Sequence, residues 1–522
     1  MKKGFTLIEL LAVIILLGII GLIIVPSVNK TITDSRQKVY NQSISSIEHS
    51  ALMYLTNTGD CPTSDTVLSI QTLKDAGLLD NKTLENPKGG DSLDTNACIV
   101  YKWENNNYVI NYITGDDCLK DQIIANYNVT KGVNIPQLTS GMTPIKWVNG
   151  VETTTTADDH NWYDYSNKLW ANAKTTDGSY WVWIPRYAYK ITSGWHTSTA
   201  GTIDIKFLKN DTIENSSNTV IQTSGYSTTG TNTSNAYFLE PAFQNGTGYT
   251  KYGFWVAKFE ASVSDISDAC YTSASKDNCN KTTLTPKFVP NVNSWRYTTI
   301  GNQYTVAQNM GINTSYGWSS GTVDIHMMTN YEWGAVAYLT RSSYGKNSEV
   351  WINNSSTFTT GCAGNSVSAS SYSGCQNAYN TTNGLNASTT GNITGIYDMS
   401  GGAFEYVAAY VNNGHSNLST YGSNIVNSTI NKNIYSITTD SNSNNYNNNA
   451  NIYGDALYET SNSYSGVTSW NSDYSYMPTS FNPWFIRDAD YSTSSHAGVF
   501  AFDGDAGGAY SCDSFRVVGA LK

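Results

Sequence analysis

Apolar residues fill the start of the chain almost without interruption. From Phe5 to Val25 only Thr6 and Glu9 break a run that is otherwise apolar or glycine. About twenty such residues suffice to cross a bilayer core as a helix. Lys2 and Lys3 stand just before the run and favour a cytoplasmic N-terminal end. After Pro26 the pattern becomes periodic. Val28, Ile32, Val39, Tyr40, Ile44, Ile47, Ala51 and Leu55 recur at helical spacing, with one polar gap at Arg36. Asn57, Gly59 and Pro62 then stop it. The spacing predicts one long helix, kinked or loosened at Pro26.

Further along, the segment LKDAGLLD at 73–80 has helical spacing, and Asn-Pro-Lys-Gly-Gly at 86–90 makes a turn. CIVYKWENNNYVINYIT reads as two strands around residues 104–107. From about residue 126 short strand-like runs alternate with polar loops: YWVWIPRYAYKI, IDIKFLK, YGFWVAKFEAS and WRYTTI. The one helical pattern in this stretch is MTNYEWGAVAYLTRSSYG at 328–345. Within it Trp333 reads as a core wedge. Residues 396–402 form a turn that lets backbones approach closely, after which Phe404 and Tyr406 alternate as in a strand. Tyr397, Met399, Gly401 and Glu405 read as scaffold. Residues 411–465 are rich in Asn, Ser and Tyr and read as a long insertion or loop. No repeat of 20–50 residues is present, which disfavours a solenoid.

Composition narrows the setting. The chain has 522 residues, too many for one ordinary domain. A formal net charge of −11 makes nucleic acid an unfavourable partner. Only 14% of residues are charged, while Tyr numbers 37 and Trp 14, as suits a surface rich in uncharged hydrogen-bonding and contact area. The eight Cys fall into local pairs Cys98–Cys118, Cys270–Cys279 and Cys362–Cys375, which suggest disulfides in an exported chain. Cys61 and Cys512 have no obvious local partner. No CxxC occurs and the six His do not cluster, so no metal site is expected.

The residues GFTLIELL resemble the processing site of type IV prepilins. The resemblance implies cleavage between Gly4 and Phe5 by a prepilin peptidase, with methylation of the new Phe5 amine. It places Glu9 at the position that pairs with a neighbouring subunit's N-terminal amine during assembly, and Pro26 where many pilins carry a kinking proline. The physics agrees, because a carboxylate in lipid is costly and needs a cationic partner. The segments after the helix are similar to the small head of Gram-positive pilins and pseudopilins. This divides the chain into a leader at 1–4, a pilin helix at 5–57 with its membrane span at about 5–25, and a head at 58–125.

Residues 126–522 resemble a second family, the formylglycine-generating enzymes or sulfatase-modifying factors. GFWVAKFEAS, HMMTNYEWGAVAYLTR with Thr329, Glu332 and Trp333, GIYDMSGGAFEYVA, and the closing WFIRDAD…AGVFAF…SFRVV follow the family's order. The implied fold is a loop-rich variant of the C-type lectin fold. The whole chain is then α+β: a long pilin helix with a small β head, followed by a mixed α/β lectin-like domain. The family's oxidase uses paired cysteines near the C-terminal end, where this chain has only Cys512. A lone thiol cannot form that centre. No Ser-His-Asp order, phosphate-binding glycine loop or paired-carboxylate signature replaces it, and Glu332 and Glu405 read as scaffold. The family's calcium turn usually has Asn where Gly402 stands, so calcium would find only backbone oxygens there and no cofactor is expected.

Binding is therefore the expected activity. Domains of this lectin-like branch also serve as the variable ligand-binding proteins of diversity-generating retroelements. Asp488, Asp490, Tyr491, His496, Asp503, Asp505 and Tyr510 are interleaved with scaffold-like Trp484, Ile486, Arg487, Ala497, Gly498, Phe500, Phe515 and Arg516, and make the expected ligand face. The sequence thus points to a membrane-anchored pilin-like subunit whose outer domain recognises a surface glycan or protein. Its alternatives are a pseudopilin of a type II secretion or DNA-uptake system, and a surface-tethered enzyme of the formylglycine-generating type.

Overall fold

The computed structural model describes residues 6–58, 66–89, 92–94, 97–104, 107–114, 123–124, 126–212, 237–244, 252–263, 270, 276–437 and 439–522. The chain is mixed α/β with a long N-terminal helix and many small sheets. It divides into two compact units, Met1–Gln122 and Ile123–Lys522.

The first unit is built on α1, Leu7–Thr58, which passes Pro26 without a break. Its 52 residues make a rod about 78 Å long at the standard helical rise. The membrane span expected over 5–25 lies partly outside the described residues, which do not include residue 5 or the side chains of 18 and 21–25. Among the described residues no helix is long and apolar enough to cross a membrane. The apolar stripe after Pro26 splits in two. Ile47, Ala51 and Leu55 are buried, whereas Val28, Ile32 and Val39 are exposed, because the head covers only the helix's C-terminal part.

That head contains β1 (Thr66–Ser69), α2 (Ile70–Asp75), β2 (Ala97–Glu104) and β3 (Asn107–Thr114). The strands form one antiparallel sheet in sequence order. The expected hairpin is present, with Glu104 opposite Asn107. The helix expected at 73–80 lies earlier, because Ser69 caps it by accepting from Thr72 N at 3.0 Å and Gly77 turns the chain at φ 71°. Ile70, Leu73, Leu93, Ile99 and Tyr101 complete a small core against α1, and the Tyr101 hydroxyl donates to the Ala51 carbonyl at 2.9 Å.

The second unit carries, among the described residues, two seven-stranded sheets and several shorter ones. The first sheet runs in the order Val323–Met327, Val517–Leu521, Gly253–Ala257, Tyr180–Pro185, Asn172–Lys174, Thr143–Val148, Val151–Thr154, with every pair antiparallel. Tyr180–Pro185 is buried along its whole length, which explains why YWVWIP reads as a continuous apolar run rather than an alternating one. In the second sheet Phe404–Val411 pairs with Trp484–Arg487 on one flank and lies parallel to Asn433–Tyr435 and Asp513–Phe515; Phe502–Asp505 follows Trp484–Arg487.

Arg516 stands between the strands Asp513–Phe515 and Val517–Leu521, where the chain passes from one sheet to the other. Its buried guanidinium donates to Glu405 Oε1 at 2.6 Å and Oε2 at 3.1 Å, and to the carbonyls of Ala257, Tyr397 and Asp398 at 2.8–3.1 Å. A planar cation with five donors fits such a fork of acceptors better than lysine would. Burial pushes Glu405 up to about 7, against the pull of Arg516.

Several elements differ from the sequence reading. WRYTTI is not a strand: Thr299 instead caps the helix Ile300–Met310. The stretch 411–465 is no loose insertion. It contributes Ser416–Asn427, Asn433–Tyr435 and Asn442–Asn448, and buries Leu418, Ile425, Tyr435 and Tyr446 in the main core. The tyrosines are also less of a surface feature than composition suggests. Tyr165, Tyr187 and Tyr397 are buried with hydroxyls donating to the carbonyls of Trp183, Ala335 and Tyr379 at 2.6–2.9 Å. Each supplies a large apolar ring to the core and satisfies its polar tip there. The expected helix over 328–345 is present as Asn330–Arg341. A reciprocal capping box joins Thr329 and Glu332, and buried Trp333 donates to the Val499 carbonyl at 2.8 Å.

Cysteine pairing is mixed. Cys362–Cys375 is a disulfide. Cys98 is disulfide-bonded too, while Cys118 and Cys61 lie outside the described residues. The expected Cys270–Cys279 bond is absent. The two are neighbouring thiols, and burial followed by Cys279 raises the thiol of Cys270.

Candidate functional site

Two places hold the residues expected to carry function, one in each unit. At the N-terminus, Gly4 and Phe5 lie outside the described residues. The geometry begins at Thr6. The Thr6 hydroxyl oxygen accepts from Glu9 N at 3.3 Å, while Glu9 Oε2 accepts from Thr6 N at 2.9 Å and from the Thr6 hydroxyl at 2.8 Å. This is a capping box, in which the first turn's unpaired amides are satisfied by side chains three residues apart. Glu9 therefore has a role within its own chain: its carboxylate folds back toward the start of the helix. That is also where an anion is favoured by the helix dipole, and where a new N-terminal amine at residue 5 would be released. Leu7 (84% exposed), Ile8, Leu10, Leu11, Val13, Ile14, Ile15, Leu16, Leu17, Ile19 and Ile20 are uncovered in the single chain. A uniformly apolar exposed helix of this kind needs lipid or other copies to cover it.

The second place is the C-terminal end of the chain. Trp484, Arg487, Phe500, Phe515 and Arg516 are all buried, as scaffold residues should be. The polar set expected between them divides. Asp488 is not on the surface: it is 1% exposed, sits at φ 63°, and accepts from Gly401 N at 2.8 Å and Ala489 N at 2.5 Å. It braces the turn at 401–402, and burial holds its carboxyl well above the usual range. The same turn explains the departure at Gly402. With φ at 86°, a Cβ there would lie 2.4 Å from Glu260 Oε1, so any larger residue would have to displace that buried carboxyl.

The remaining residues stay at least partly accessible. Asp490 caps the short helical turn Tyr491–His496, accepting from Ser492 N at 3.1 Å and the Ser492 hydroxyl at 2.7 Å. Tyr491 packs edge-on against Phe358 at 4.9 Å, and the Arg296 guanidinium covers the Phe358 ring at 3.9 Å. His496 sits beside the Ser472 carbonyl, with 3.0 Å between Nδ1 and that oxygen. Asp503 and Asp505 point to one face of Phe502–Asp505, as alternate residues of a strand must. Tyr510 is 42% exposed, and its carbonyl accepts from Tyr297 N at 2.8 Å.

The acids interact. Asp505 Oδ1 accepts from the Tyr406 hydroxyl and from Gly507 N at 2.7 Å. Burial, followed by Asp505, holds Asp513 well above the usual carboxylate range. Burial, opposed by the Gly504 amide and aided by Asp505, pushes Asp503 up to about 7. The Cys512 thiol is raised by burial and then by Asp513, the opposite of what a reactive thiolate requires. The structure thus gathers Asp490, Asp503, Asp505 and Tyr510 around Cys512 and Asp513. It adds Arg296, Phe358 and Tyr406, which sequence reasoning did not place there. Alternation in the strand marked Tyr406 as structured. Arg296 and Phe358 are brought in only by tertiary contacts. Among the described residues no group of three or more His, Cys, Asp or Glu is arranged to hold a metal ion.

Residues 1–25 match a family model described as the prokaryotic N-terminal methylation motif. The N-terminus is therefore type IV prepilin-like, which implies processing by a prepilin peptidase, membrane anchoring by the N-terminal segment and assembly with other pilins. No curated protein matches the chain.

Proposed function

We propose that the chain is a type IV pilin-like surface subunit whose second unit is a non-catalytic, lectin-like recognition or adhesion domain. The observation that carries this reading is the methylation motif at 1–25, continuous with a helix whose apolar side chains are uncovered in the single chain. Processing frees the amine of Phe5, the apolar helix enters the membrane, and other pilin subunits cover it during assembly. The head and the second unit then face outward. The order of the four motif segments at 253–262, 326–341, 395–408 and 484–518 supports the lectin-like assignment. A non-catalytic role is supported by the elevated thiol of Cys512, since neither copper ligation nor nucleophilic attack suits a protonated sulfur. The recognition surface is the loop end carrying Asp490, Tyr491, Asp503, Asp505 and Tyr510, with His496 at its margin, and its ligand is a glycan or protein on another surface.

Two measurements test the reading. Mass spectrometry of the mature chain is expected to find N-methylated Phe5, and an intact Met1 in membrane-extracted mature protein overturns the pilin assignment. A glycan and protein array probed with the full chain is expected to give hits that weaken when Tyr491 or Tyr510 is replaced by Ala. Oxidation of a cysteine-containing peptide in the presence of copper would instead favour the enzymatic reading.

A further inference from the structure

Lys258 sits fully covered, immediately after the strand Gly253–Ala257, and its backbone amide donates to the Tyr180 carbonyl at 2.9 Å. Asn172 is 1% exposed and starts the strand on the other side of Tyr180–Pro185, where it lies opposite Val182. Tyr180 and Val182 are two positions apart, so Lys258 and Asn172 emerge on the same face of the sheet. There Lys258 Nζ donates to Asn172 Oδ1 at 2.7 Å and to the Ile393 carbonyl at 2.5 Å. The ring of Trp147 lies 4.6 Å from Nζ and that of Tyr397 5.7 Å. Among the described residues no carboxylate pairs with this amine. Glu152, whose charge reaches it, is held instead by Lys174 at 2.9 Å and by the Tyr180 hydroxyl at 2.5 Å. A buried ammonium without a counter-ion is costly, and burial holds this amine well below the usual lysine range. The uncharged amine has two hydrogens. The two acceptors match them and leave its lone pair unused. Asn172 is held just as firmly. Its Nδ2 donates to the Trp170 carbonyl at 3.0 Å and the Thr394 carbonyl at 2.7 Å, so the side-chain oxygen is the end turned to Lys258.

We propose that Lys258 and Asn172 join in an isopeptide bond, a self-made covalent link between the two strands that flank Tyr180–Pro185. The Nζ lone pair attacks Asn172 Cγ, one bond beyond the oxygen that Nζ already touches, and a C–N bond forms. The Cγ–Nδ2 bond breaks, a proton passes from Nζ to Nδ2, and ammonia leaves. Nothing is oxidised or reduced and no co-reactant is consumed. The fold holds the two groups in contact, which removes the entropic part of the barrier. As Nζ gains positive charge during attack, the Ile393 carbonyl and the face of Trp147 stabilise it. The product is a neutral amide that needs no counter-ion. It closes the chain into a loop from 172 to 258, and it stands independently of the recognition reading above.

Mass spectrometry of the full chain, denatured and with its disulfides reduced, tests this directly. The wild-type mass is expected to fall below that of the mature sequence by one ammonia. Trypsin is expected to skip the bond after Lys258 and to release one branched peptide that contains both Lys258 and Asn172. Lys258→Met and Asn172→Ala are each expected to restore the full mass and to abolish the branch. On a reducing, denaturing gel the wild-type chain, still closed into a loop, is expected to run apart from both variants. That readout holds even for a variant that does not fold. Recovery of Lys258 and Asn172 from the wild type in separate linear peptides overturns the proposal. So does an ammonia deficit that persists in Asn172→Ala, which would place the loss at another asparagine, and so does identical gel mobility of wild type and both variants.

Discussion

The two units of this chain invert each other's use of polarity. Along the first part of α1, apolar side chains stand outside with nothing from their own chain to cover them. In the second unit, charged side chains such as Arg487, Arg516, Glu240, Asp398 and Glu405 lie inside, fully covered. An exposed apolar stripe is an unfinished interface: its stabilisation comes only when lipid or another copy removes it from water. A buried ion pair is the reverse. It is complete within one chain, and it fails badly if either partner is removed. The first unit therefore depends on its surroundings for its energy, and the second depends on its own internal register.

The largest expected effect tests the self-contained half. Arg516→Met should destabilise the second unit by about 3–5 kcal/mol, because it leaves Glu405 buried without its cation and frees three carbonyls. Urea unfolding of the full chain followed by tryptophan fluorescence reads this, since Trp170, Trp181, Trp183, Trp255, Trp295 and Trp333 all lie in the affected core. A wild-type midpoint would mean that the two sheets do not need Arg516 to stay joined.

The next effect is in pH. In the folded chain Asp503 keeps its proton up to about pH 7, whereas in the unfolded chain it releases it near pH 4. Its contribution is complete below pH 4 and is lost as pH rises from 4 to 7, by at most about 4 kcal/mol. Glu405, raised to about 7, and Asp455, raised to about 6, act in the same direction. Asp503→Asn should flatten the fall in melting temperature between pH 4.5 and 7.5. A variant whose profile parallels the wild type would place the elevated proton elsewhere.

The dependent half is tested by separating the two duties of Glu9. Glu9→Gln keeps an acceptor for the capping box but loses the charge, while Glu9→Ala loses both. The capping box satisfies amides of the helix's first turn. Both variants should insert into membranes, and both should be poorly incorporated into sheared surface fibres if the charge is what pairs with a neighbour's amine. Normal incorporation of Glu9→Gln together with failure of Glu9→Ala would make capping the essential duty.

The smallest stability effect belongs to the proposed recognition face. Tyr510→Ala should shift stability by under about 0.5 kcal/mol and still alter ligand choice, as expected of a side chain that is 42% exposed. An early melt for Tyr510→Ala in differential scanning calorimetry would reassign that ring to the core.

How much of this was readable in the sequence depended on distance along the chain. The long helix, the hairpin around 104–107 and the helix within 328–345 rest on residues a few positions apart, and local pattern found them. The helices Ile300–Met310 and Ser416–Asn427 did not stand out, because each is stabilised by what it packs against. Gln303 is buried in the first, and only Leu418, Gly422 and Ile425 are buried in the second. Asp488 was misread as surface for a related reason. The amide of Gly401 that holds it lies 87 positions earlier, and no local pattern reports that bond. The same holds for the proposed recognition face, where Tyr510 and Asp490 have the look of loop residues but Arg296 and Phe358 arrive from far upstream.

The placement of Val517–Leu521 has a consequence for the order of events during synthesis. That strand lies between Gly253–Ala257 and Val323–Met327, so the first sheet keeps an open seam until residue 521 has emerged. The N-terminal segment, by contrast, is available to the membrane within the first few dozen residues. A growing chain is thus tethered early and closed late. A chain that stops short of the final strand would present two unpaired strand edges, which invite aggregation and degradation.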